Sequence, residues 1–145
     1  MNSKFIEALG TLNSDQKPVW GKMTAQHMVE HLLLAVKMGN GKLKLDCINL
    51  PEKLPTLKKF LMSDRPMPKG FVNPATGSDN LPLNFSSLSE AISNLKSEVD
   101  DYHRFFKESP NAKTMNVTFG ELNKTEWDQF HKKHFTHHLE QFGLL

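Results

Sequence analysis

Cysteine is almost missing from this 145-residue sequence. Cys47 stands alone, so the chain can build neither an internal disulfide framework nor a Cys-x-x-Cys redox or zinc motif. An excess of one charge is missing too. The formal net charge is +2 and the only arginines are Arg65 and Arg104, which argues against a nucleic-acid partner. Long apolar runs are also lacking: a membrane span needs at least ~17 such residues, and the longest run, Leu32 to Val36, suits the interior of a helix. The first residues, Met1-Asn-Ser-Lys-Phe-Ile-Glu, lack a signal peptide's apolar stretch, so a cytoplasmic protein without a membrane partner is expected. No internal repeat, low-complexity tract or convincing alternating strand is visible.

What remains, with 38% hydrophobic and 23% charged residues, is the composition of an ordinary globular chain, long enough for one domain over residues 1–145. Its apolar residues follow helical spacing. Residues 3–12 offer Phe5, Ile6, Leu9 and Leu12 to one helix. Thr24 is placed to cap a second that runs through Met28, His31, Leu32 and Ala35 to a stop near Gly39. Ser87-Leu-Ser-Glu90 reads as a capping box for a third through Ile92, Leu95, Val99, Tyr102 and Phe106, ending before Pro110. Asn123-Lys-Thr-Glu126 caps a fourth that stops at Gly143. Between helices 2 and 3, prolines at 51, 55, 66, 68, 74 and 82 interrupt any long element. Leu57, Phe60, Leu61, Phe71 and Leu81 nevertheless give this crossover something to bury, and Thr56 to Met62 predicts a short helix. Lys113 to Phe119 could be briefly extended, but a lone strand makes no sheet. The expected fold is all-α, a four-helix bundle with a long crossover between helices 2 and 3, a class in which ligands are often built from facing helices.

Histidine is the abundant chemistry. Four of seven histidines, His131, His134, His137 and His138, fall in the last helix. On a wheel of ~100° per residue with Trp127 at zero, Phe135, Leu139 and Phe142 lie near ~80°, ~120° and ~60°. His131, His138 and His134 fall near ~40°, ~20° and ~340°, inside or beside that apolar arc, whereas His137 near ~280° points to the surface. An inward imidazole needs a hydrogen-bond partner or a metal, because an unsatisfied buried polar group costs a few kcal/mol. His134 and His138, four apart, stack on one side of the helix with the spacing by which a helix offers two nitrogens to one metal.

His31, on the apolar second helix, is the candidate third ligand. Taken alone it reads as a core histidine, and His27 and His31 repeat the H-x-x-x-H spacing without proving anything by it. Three neutral imidazoles would hold a divalent ion, zinc or nickel foremost with copper and iron as further candidates, and leave a position for water or substrate. His131 reads as a partner of the ligands or an aromatic filler rather than a fourth ligand. Glu30 and Glu140, adjacent in sequence to candidate ligands, point elsewhere and are not assigned as bases. Gln141, three after His138, is placed to orient a ligand or substrate or to face solvent, and solvent is the favoured expectation; Trp20 and Trp127 are expected to pack, and Cys47 to be a bystander.

Two segments carry a resemblance. Trp20-Gly-Lys-Met-Thr-Ala-Gln-His-Met-Val-Glu-His-Leu32 resembles the start of the ligand-bearing second helix of the DinB/YfiT-like metalloenzyme superfamily, and His134-Phe-Thr-His-His138-Leu-Glu-Gln141 resembles its last-helix H-x-x-x-H-x-x-Q element. Phe119-Gly-Glu-Leu-Asn-Lys-Thr-Glu-Trp127 resembles one uncharacterised branch, and the similarity extends over essentially the whole chain. The resemblance implies a four-helix bundle, commonly a homodimer, with a divalent metal on His31, His134 and His138; His27 has no counterpart. It implies metal-dependent transferase or hydrolase chemistry on a small molecule, including low-molecular-weight thiols, with no residue assigned as catalytic. The rival reading from the residues is a non-catalytic dimerisation, interaction or storage protein, its histidines metal-free core groups or a closed structural site including His131.

Overall fold

The structure, a computed structural model, describes residues 3–70 and 80–145. Phe71 and Pro74 of the expected crossover lie outside these residues. Five α-helices and one short hairpin are present among the described residues: α1 Ser3–Leu9, α2 Ala25–Gly39, α3 Leu54–Met62, α4 Leu88–Glu108, β1 Thr114–Asn116, β2 Gly120–Leu122 and α5 Lys124–Gln141. A 3₁₀ turn, Pro51–Lys53, leads into α3. No described helix is long and apolar enough to cross a membrane.

The caps read from the sequence form. Thr24 Oγ1 accepts from the His27 amide at 3.2 Å and opens α2. Asn123 and Glu126 make a complete reciprocal capping box on α5. At α4 the box is displaced: Ser87 Oγ accepts from Glu90 N at 3.1 Å, but the Glu90 carboxylate turns to the amide and hydroxyl of Ser86.

The expectation of an all-α protein is corrected by the hairpin. β1 pairs antiparallel with β2 in the register Thr114↔Leu122, Met115↔Glu121 and Asn116↔Gly120. The turn is made by a side chain: Asn116 Oδ1 accepts from the amides of Thr118 at 2.9 Å and Phe119 at 3.1 Å. Gly120, at φ +81°, then returns the chain. Three-residue strands are too short for alternation to register in the sequence. An alanine at Gly120 would face both the left-handed backbone and Leu54 Cδ1 at 2.8 Å. Gly120→Ala is therefore expected to lower stability by about 1–2 kcal/mol, read as an earlier urea midpoint at unchanged slope.

Helix α2 is the centre of the molecule. It packs along α4 and against α5 and β1, while α1 and α3 pack on α5. Met28, Leu32, Tyr102, Phe106, Trp127 and Phe135 are all but fully enclosed. One ionisable group on α2 is buried in a structural role. Glu30 accepts from the amides of Asn84 at 2.6 Å and Phe85 at 3.4 Å, and Gln26 donates both to Glu30 and to the Phe85 carbonyl. This clasp fixes the end of the crossover beside the helix that carries His31. It also accounts for Glu30 as a structural carboxylate rather than a base.

Candidate metal centre

Helix α5 is enclosed on several sides, because α1, α2 and α3 all lie against it. Its buried residues include Trp127, Phe135 and Leu139 but also His131, His134, His138 and Gln141. His134 and His138, one turn apart, face α2 where His31 emerges. The three rings form a nearly equilateral triangle: each pair of centroids is 4.8 Å apart, with interplanar angles of 73°, 75° and 76°. One nitrogen from each ring lies within 4.8 Å of the other two. His31 Nε2 and His134 Nε2 approach to 2.8 Å, close enough for a single shared proton. The resemblance implied that these three residues converge, and the fold brings them together.

The electrostatics keep the nitrogens available. Burial is the main cause in each case. It lowers the pKa of His31 to about 4 with the nearby His137 adding to the effect, lowers His138 to about 3, and holds His134 well below the ordinary imidazole range. All three are neutral near pH 7, the form that binds metal. His31 is partly buried, while His134 and His138 are buried.

Gln141 is the residue the sequence misjudged most. Expected at the surface, it is buried, with Oε1 2.8 Å from His138 Nδ1 and Nε2 donating 3.0 Å to the carbonyl of Trp20. The bond to a carbonyl fixes which end of the amide is nitrogen, so the oxygen faces His138. His138 Nδ1 must therefore carry the proton and donate it, leaving Nε2 with a lone pair for an ion. A metal-bound histidine is commonly backed in this way. His134 has no such support: its Nδ1 is buried without a hydrogen-bond partner among the described residues.

The donor set fits a divalent transition ion. Imidazole nitrogens suit zinc, nickel, copper and iron, and a tetrahedral zinc with Zn–N of ~2.0–2.1 Å separates its nitrogens by about 3.3 Å. The closest pair here would need to open by only ~0.5 Å to match that spacing.

The remaining histidines fall elsewhere. His131 is fully enclosed, stacked on Trp127 at 5.2 Å and 27° and edge-on to Tyr102 at 4.9 Å, with neither ring nitrogen hydrogen-bonded among the described residues. It is an aromatic filler and not one of the converging nitrogens. His137, expected at the surface, is half-buried, edge-on to Trp20 at 5.6 Å and 4.9 Å from the His138 ring. The 63–67 segment folds over that flank of α5, with Lys133 Nζ donating to the Arg65 carbonyl, so the wheel's outer face is partly covered. His27 stays at the start of α2 with Thr24 Oγ1 2.6 Å from its Nδ1. Among the described residues, Cys47 Sγ makes long contacts to the carbonyls of Asn49 at 3.7 Å and Thr118 at 3.8 Å.

Set against protein-family models, curated proteins and solved structures, the chain gives no significant match. The local chemistry of three converging, neutral imidazoles is therefore what defines this site.

Proposed function

We propose that this chain is a divalent-metal-binding protein of the DinB/YfiT-like kind, its ion held by His31, His134 and His138 and serving transferase or hydrolase chemistry on a small molecule. The observation that carries the reading is the placement of one nitrogen from each of these residues within 4.8 Å of the others. The four-helix arrangement and homodimer of that superfamily, and a low-molecular-weight thiol as co-substrate, belong to the same proposal. An ion on three neutral ligands keeps its full charge, and when bound it supplies Lewis acidity, lowering the pKa of a coordinated water or thiol towards neutrality.

The protein's own part is to hold the nitrogens neutral by burial and to fix the His138 tautomer through Gln141. The rival, a closed structural centre, needs a fourth protein ligand, and His131 is engaged with Trp127 and Tyr102 instead. Cobalt(II) substitution in untagged protein tests the proposal. One equivalent per chain is expected, with a visible absorption spectrum that changes when azide or a small thiol is added. Failure to retain any of cobalt, zinc or nickel would overturn metal binding. A four-ligand spectrum indifferent to added azide and thiol would overturn the open site in favour of a structural one.

A further inference from the structure

The loop before α2 reaches the candidate centre without supplying a ligand to it. The Val19 amide donates 2.7 Å to the Gln141 carbonyl, Gln16 Nε2 donates 2.7 Å to the Phe142 carbonyl, and Gln141 Nε2 donates 3.0 Å to the Trp20 carbonyl. Gly21 follows at φ +85°, and a Cβ there would stand 2.8 Å from Gln141 Nε2. Two independent constraints thus make residue 21 glycine: the left-handed backbone and the close passage of the Gln141 amide. The other end of that amide accepts the proton of His138 Nδ1 at 2.8 Å.

We infer that the Trp20–Gly21 turn is a positioning element for the metal centre, fixing through Gln141 which nitrogen of His138 carries the proton and so which one is free to bind an ion. The chain of bonds runs in one direction only. The Trp20 carbonyl can only accept, so it takes the Gln141 NH₂ and turns the Gln141 oxygen inward. That oxygen can only accept, so it takes a proton from Nδ1 and leaves Nε2 unprotonated. If the turn shifts, the amide is free to rotate by half a turn, present NH₂ to Nδ1 and favour the Nε2–H tautomer. That tautomer closes the coordinating nitrogen with a proton. Gly21, Trp20 and Gln141 then act on the metal without touching it.

Long-range ¹H–¹⁵N correlation spectra of the metal-free protein read the tautomer directly. His138 is expected as Nδ1–H in the parent chain, to lose that preference in Gly21→Ala and in Gln141→Leu, and to keep it in Gln141→Glu, whose carboxylate still accepts from Nδ1. Zinc affinity, which rests on the proposed metal function, is expected to fall roughly 10–100-fold in the first two variants. It should be largely retained in Gln141→Glu, and Gly21→Ala/Gln141→Leu should be no weaker than the worse single variant. An unchanged His138 tautomer in folded Gly21→Ala would overturn the inference, as would additive losses in the double variant. Should the parent chain bind no metal, the tautomer experiment still decides the inference, while the metal function falls separately.

Discussion

Replacing His134 with alanine is expected to weaken zinc binding by about 10²–10³-fold. Four-ligand structural zinc sites in small peptides are worth ~10–16 kcal/mol, or about 2.5–4 kcal/mol per ligand, and each 1.4 kcal/mol is tenfold in affinity. His134 takes one corner of the triangle, with its Nε2 2.8 Å from that of His31 and its ring 4.8 Å from both partners. Its loss leaves two nitrogens on separate helices. His31→Ala and His138→Ala should act alike. His27→Ala, one turn before His31 but bonded to Thr24, should leave affinity unchanged. Removing the His134 ring also vacates space beside Phe130, 5.1 Å away, so thermal unfolding of each metal-free variant establishes that it folds. Competition against a chromophoric chelator gives the affinities, and added imidazole should restore part of the loss. Affinity within twofold of the parent in all three ligand variants would remove the centre.

The second large effect is acid lability of the metal-free protein. Burial holds the folded-state pKa of His31 near 4 and of His131 and His138 near 3, against ~6.5 in an unfolded chain. Between these values the unfolded chain binds protons that the folded one refuses, so stability rises with pH. The contribution is complete above about pH 6.5 and is lost as pH falls towards 4 and then 3. Each imidazole kept neutral gives a slope of up to ~1.4 kcal/mol per pH unit. The enclosed pair, His131 and His138, therefore gives up to ~2.7 kcal/mol per unit, and His31, with a solvent-facing edge, adds less. From about pH 6.5 down to about pH 5 that is up to ~4 kcal/mol, close to the whole stability of a marginal domain. Urea unfolding with chelator present, at about pH 7, 6 and 5, measures it. His131→Leu should flatten the profile by close to one proton, because that ring has no hydrogen bond among the described residues to lose. A profile level across this range would contradict the enclosure of these rings.

The helix caps and the His134–His138 pair were legible because each depends on local rules. Thr24 and Asn123 cap by short-range bonds to the third residue on, and His134 with His138 meet by helical spacing alone. His31 taken alone reads as a core histidine, and only the resemblance of the Trp20–Leu32 segment singled it out as a third partner. The hairpin was not legible: Asn116 and Gly120 create it across three-residue strands, where no hydrophobic alternation has room to develop. The wheel failed for His137 for a physical reason. It assumes a single buried face, whereas α5 is contacted by α1, α2 and α3, and the 63–67 segment and the Trp20 carbonyl cover what remains. No periodicity in α5 itself announces a loop more than a hundred residues earlier that seeks its amide.

The nitrogen pair of His31 and His134 joins positions 103 residues apart in the chain. A helix α5 formed early in folding could present His134 and His138 by itself, a chelate of two arms with modest grip. The third arm arrives only when the long intervening segment has closed α2 against α5. The proposed tight capture of an ion would thus be a property of the finished tertiary structure, and a cation resting there would act as a late latch across a span whose closure is otherwise opposed by chain entropy.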